Sequence, residues 1–85
     1  MRLPVIKGFV DVIEQSGPEK IETTIEVLEK SSEIRGFKDE ELEVVGEVLS
    51  NLFGALEVHK DMASGTPRTE ALNKFMQRVM GSIDR

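Results

Sequence analysis

The stretch from Lys38 to Ala63 constrains the fold more than any other. No proline interrupts it. At about 100° per residue, the eleven apolar side chains from Leu42 to Met62 cover more than half of a helical circumference. Glu43, Glu47, Glu57 and Asp61 share the narrow remaining strip with Gly46, Ser50 and Gly54. A helix so apolar is expected to be surrounded by other elements rather than laid on a surface. Within it, Leu42, Val45, Leu49, Leu52, Leu56 and His59 follow alternating steps of three and four. That is the spacing of a heptad seam, and the only histidine occupies its last position.

The rest of the chain supplies shorter helices. Pro4 suits a first helical turn, and Val5, Ile6, Phe9, Val10, Val12 and Ile13 fill one broad face behind it. Ser16-Gly17-Pro18 ends this helix and opens the next, where Ile21, Ile25 and Leu28 share a face and Gly36 offers a left-handed cap. Phe37 and Leu42 stand at hydrophobic-staple positions around Lys38, and Glu41 stands where a capping box places its glutamate. Ser64-Gly65-Thr66-Pro67 breaks the long helix, and Leu72, Phe75, Met76, Val79, Met80 and Ile83 form a final stripe. No segment alternates with period two. The pattern predicts one all-α domain over 1–85 with helices at about 4–16, 18–34, 38–63 and 67–82. Short links make it a four-helix antiparallel bundle-like fold with a long, largely buried third helix.

Such a bundle would have a thin core, because 85 residues bury only a little over 60% of their unfolded surface. The chain has no cysteine, tryptophan or tyrosine, so no disulfide or thiolate metal site can staple it. Either the helices pack very efficiently or a second copy helps. We therefore expect a homodimer, with helices three and four near the interface.

Charge narrows the partners. The net charge is −5 and the pI about 4.8, which disfavours nucleic acid, since phosphate binding needs a basic face. No apolar run approaches the roughly 20 residues of a membrane span. The first residues, cut by Lys7 and Asp11, do not resemble a secretory leader. A cytoplasmic protein is expected.

Four constellations could carry function. Gly46, Ser50 and Gly54 recur at steps of four, which would let another backbone approach closely; the alternative is a solvent-facing strip whose interior glycines cost about 1 kcal/mol each. Glu22, Glu26, Glu29 and Glu33 form an acidic stripe on helix two. A di-metal bundle would pair such carboxylates with Glu-x-x-His, but Glu57 precedes His59 by two residues, so the stripe reads as a solvated face. Residues 66–85 carry net +2 against −7 for the rest, and Lys74, Arg78 and Arg85 fall on one edge, either a docking edge for an acidic partner or solvated charge beside a core stripe. His59 can be read as a metal ligand, a catalytic base or a packed side chain. It lacks a second His or Cys for a metal site and has no nucleophile for base catalysis. Packing, with one nitrogen tied to a polar group such as Asn73 on helix four, is the expectation, and such a polar seam residue can fix pairing register. No catalytic constellation, phosphate loop or cofactor motif is visible.

The phrases LPVIKGFVDVIE, IETTIEVLE, KDEELEVVGEVLSNLFGALEVHK and EALNKFMQRVMGSID closely resemble the DUF6952 family, small proteins typical of Bacteroidetes. The resemblance covers nearly the whole chain. It implies a short cytoplasmic helical protein with no assigned activity and a gene neighbourhood shared with thioredoxin and peroxiredoxin genes. Without cysteine, this chain could enter thiol redox only as a partner. The expected function is a self-associating interaction or scaffold module. The rival is a metal-dependent or small-molecule-binding protein using Glu22, Glu26 and His59, which the sequence places on different faces of different helices.

Overall fold

A computed structural model of the protein describes residues 2–83, with side-chain surroundings through Val79. Among the described residues there are four α-helices and no strand. Helix α1 spans Leu3–Ser16, α2 Pro18–Lys30, α3 Asp39–Ala63 and α4 Arg68–Ile83. A single 3₁₀ turn, Ser31–Glu33, follows α2.

Local chemistry sets the boundaries. Gly17 lies at φ +90° and its N–H closes α1 on the Ile13 carbonyl at 2.7 Å; Pro18 then starts α2 without needing the donor it lacks. The α-helical ladder of α2 stops at Lys30, earlier than its apolar pattern implies. There the Ser32 hydroxyl donates to the Glu29 carbonyl at 3.0 Å, and Ile34 turns extended. At the start of α3 the Lys38 N–H donates to the Glu41 carboxylate at 2.8 Å. This is one half of a capping box; lysine has no acceptor to complete the other half. Three acidic residues, Asp39, Glu40 and Glu41, also occupy the positive end of the helix dipole. At the far end of α3, Thr66 N–H reaches the Asp61 carbonyl and Gly65 N–H the Met62 carbonyl. These two bonds make a Schellman motif, with Gly65 at φ +110° where an L side chain would be strained.

The core is assembled around the second half of α3. Leu52, Ala55 and Val58 present one row to Ile6, Val10 and Ile13 of α1, to Ile21 and Ile25 of α2, and to Ala71, Leu72 and Phe75 of α4. Helix α3 touches all three of the other helices, and α1 also meets α2 and α4. Burying side chains such as Ile6 and Ile13 contributes about 1.5–3 kcal/mol each. Arg68, at the start of α4, ties that helix to α1. One guanidinium nitrogen donates to Asp11 at 2.7 Å and to Glu14 at 2.6 Å.

The expectation of a largely buried third helix holds only for its second half. No residue of α3 before Asn51 is buried, and Val44 is 64% exposed. The reason is length. At about 1.5 Å per residue, the 25 residues of α3 extend roughly 37 Å. The 14, 13 and 16 residues of the other helices reach only about 20–24 Å. They enclose side chains only from Asn51 onward and cover the first half of α3 in part. The body is correspondingly flat, 43 × 35 × 17 Å.

Leu52 is 2% exposed, whereas Leu49, one turn earlier, is only half-buried. Leu52→Ala is therefore expected to cost about 2–5 kcal/mol, and Leu49→Ala clearly less in the single chain, as read from urea unfolding midpoints. Arg68→Met should cost about 0.5–1 kcal/mol, a loss that shrinks in 1 M salt because the pair is partly solvated.

Candidate functional site

One face of α3, running from its first half into its second, carries apolar side chains that the core does not fully enclose. Leu42, Gly46, Leu49, Phe53, Leu56 and Lys60 follow steps of four and three, which keeps them within about 80° of arc. Phe53 is 47% exposed, Gly46 is open, and Leu42, Leu49 and Leu56 are half-buried. This row is displaced from the seam expected by sequence. Leu52 leaves the seam for the core, and Phe53, its neighbour, takes the outward position.

Two shallow grooves run along this face on the α2 side. One, of about 320 Å3, lies between Leu28 of α2 and Ser32 of the 3₁₀ turn on one side and Leu42, Val45, Gly46 and Leu49 of α3 on the other. The other, of about 480 Å3, is lined by Pro18 and Glu22 of α2 and by Phe53, Leu56, His59 and Lys60 of α3. A third groove, of about 680 Å3, lies on another side of α3, between Arg2 and Val5 of the α1 end and Val44, Glu47 and Val48. At its floor Asn51, 1% exposed, accepts from the Arg2 N–H at 2.8 Å and donates to the Glu47 carbonyl at 2.7 Å. The sequence reading passed over Asn51. Its signal was there, since it shares a helical row with Ala55 and Val58, where a polar side chain is buried and must find partners.

The small-residue strip divides. A Cβ added at Gly46 would meet nothing within 4 Å, while one at Gly54 would lie 3.0 Å from Phe75 Cζ and 3.2 Å from Ile6 Cδ1. Gly54 thus serves close packing of α1 and α4 within the chain, and Gly46 faces open space. Ser50 is half-buried and donates to the Glu47 carbonyl at 2.9 Å.

His59 is not tied to Asn73, as the sequence led us to expect. Asn73 is exposed, and the His59 Nδ1 is buried without a hydrogen-bond partner among the described residues. The side chain lines the groove on the α2 side. Glu22 and His59, which the sequence places on different faces of different helices, both line this groove. Glu26 does not line it, and Glu22, Glu26, Glu29 and Glu33 are all exposed. Among the described residues no three His, Cys, Asp or Glu side chains converge as a metal site would require.

The basic residues near the C-terminus have mostly internal roles. Arg68 binds α1, and its guanidinium is held above the usual arginine range first by the Asp11 hydrogen bond and then by the Asp11 and Glu14 charges, against desolvation. A raised arginine pKa adds stability that is fully present below the unfolded value and lost only at still higher pH, so neutral-range pH should not switch this contact. Arg78 approaches Asp61 at 3.9 Å and lies over the Phe75 ring. Lys74 is exposed, and Arg85 lies outside the described residues. No described helix is long and apolar enough to cross a membrane.

Gly54→Val should cost about 1–3 kcal/mol by overpacking. Val at the open Gly46 has no intrachain neighbour to displace and is expected to leave the thermal midpoint of the isolated chain within a few degrees. Differential scanning calorimetry at low protein concentration separates the two.

The model of the DUF6952 family, a family of unknown function, matches residues 1–84, and the chain belongs to that family. No curated protein and no solved structure matches it.

Proposed function

We propose that this DUF6952 member is a self-associating interaction module: a cytoplasmic homodimer that acts as a small scaffold for a protein partner and carries out no catalysis of its own. The observation that carries this reading is the incompletely covered apolar face of α3, with Phe53 outward and no residue before Asn51 buried. Two quantities support it. The radius of gyration is 13.8 Å, against about 12 Å for a compact domain of this length. The accessible surface is 5959 Å2, against about 5,000 Å2 for a compact monomer of this mass. The excess, roughly 900 Å2, is the size of one side of a standard protein interface, about 800 Å2 per partner. In a pair, the first half of α3 would become the centre of an antiparallel helical bundle.

The buried, unpartnered His59 Nδ1 beside Glu22 favours a second reading, a small molecule or metal held in that groove. Co-purification of the tagged protein from its own host decides between the two. A stoichiometric protein partner supports the module, and a retained small molecule or metal supports the groove.

Light scattering at micromolar concentration is expected to return twice the 9.5 kDa of the chain, and the melting temperature should rise with protein concentration. A single 9.5 kDa species at every concentration would sink the proposal.

A further inference from the structure

We infer that two copies pair through antiparallel α3 helices, with Phe53 of each seated on the partner's Gly46. This rests on the self-association reading above and specifies its geometry. Phe53 and Gly46 lie seven residues apart, and two helical turns return to within about 20° of the same line. One is an exposed aromatic side chain. The other is a position where an added Cβ would meet nothing within 4 Å, so a neighbouring ring can approach the backbone.

A two-fold axis crossing α3 between Leu49 and Ser50 superimposes these features. It sets Phe53 against the partner's Gly46, Gly46 against the partner's Phe53, and Leu49 close to its own copy. An isologous contact of this kind is self-complementary, since residue i meets j and j meets i. The same axis sets Lys60 against the partner's Asp39. Asp39 and Glu43 are acidic near the start of the stripe, and Lys60 stands beside Glu57 near its end, so the unlike pair that this axis opposes, once at each end, is Lys60 with the partner's Asp39.

Parallel pairing fails on both counts. It would stack Phe53 on the partner's Phe53 and leave a void between the two Gly46 positions. It would also set Asp39 against the partner's Asp39 and Lys60 against the partner's Lys60, and like-charge juxtaposition across an interface is unfavourable.

The absence of native cysteine makes the geometry directly readable. Asp39 and Lys60 lie 21 residues apart, about 31 Å along the helix. An affinity-tagged Asp39→Cys chain is mixed with an untagged Lys60→Cys chain and treated with a bis-maleimide much shorter than that separation. The expected product is the mixed 39–60 conjugate. In parallel, Gly46→Gln should raise the dimer dissociation constant at least tenfold with the helical circular-dichroism signal kept, because glutamine favours helix and has open space in the single chain. Phe53→Ser, which removes an exposed side chain, should do the same and guards against a folding defect in the first variant.

If the wild-type chain is dimeric and the mixed Asp39→Cys and Lys60→Cys chains give only 39–39 and 60–60 conjugates, or none, this pairing is overturned while self-association stands. A dimer that persists at the wild-type dissociation constant in both Gly46→Gln and Phe53→Ser overturns it as well. A wild-type chain that is monomeric throughout removes the self-association reading itself.

Discussion

The contact on which the remaining structure depends is the row Leu52, Ala55 and Val58 of α3, which α1, α2 and α4 grip from three sides. Three shorter helices each need an apolar surface to cover, and this row is the one surface that all of them reach. The small side chain at Ala55 and the missing one at Gly54 let α1 and α4 come close, to the point where Phe75 and Ile6 meet over the glycine. Because packing density in such a core approaches that of an organic crystal, the fit fixes which part of α3 is enclosed. It is the second half, and the first half is covered only in part, by Val48 and Leu49 at the margin of the core.

Polar contacts tie the ends of the helices to this centre. Asn51 holds the beginning of α1 through the Arg2 N–H, and Arg68 holds the beginning of α4 against Asp11 and Glu14. The two differ in physical kind. Asn51 is buried, so losing its partners would leave donors and acceptors unsatisfied away from water, at about 1–3 kcal/mol. Arg68 and its carboxylates are partly solvated, and their attraction is modest and screened by salt. Of the basic residues near the C-terminus, Arg68 and Arg78 serve intramolecular contacts, which leaves exposed Lys74 as the described remnant of a docking edge.

The outward face of α3 explains why a helix with so many apolar residues is not fully enclosed. Its circumference carries two apolar rows. One is consumed by the core, and the other, through half-buried Leu42 and Leu49 and exposed Phe53, is only partly covered in the single chain. A second copy offers the same row in return. The homodimer and its antiparallel pairing are our proposals for how that surface is covered, and the groove holding His59 and Glu22 lies at the edge of the same face.

Much of this protein is determined by local chemistry and is therefore legible in the sequence. Helical periodicity, Pro18 and the Gly65 turn set the helices. Glu41 marks the start of α3, because a capping bond spans only three residues. The absence of period-two alternation fits the all-α class. Other features depend on which helix meets which, and no local pattern encodes that. The choice of Leu52 over Leu49 for the core, the separation of Gly54 from Gly46, and the groove that Glu22 and His59 both line all follow from the directions in which α1, α2 and α4 approach α3. The heptad spacing from Leu42 to His59 was real as a pattern. The long-range packing decided that one edge of it would be buried and the other left open, because helices of 13 to 16 residues cannot sheathe one of 25.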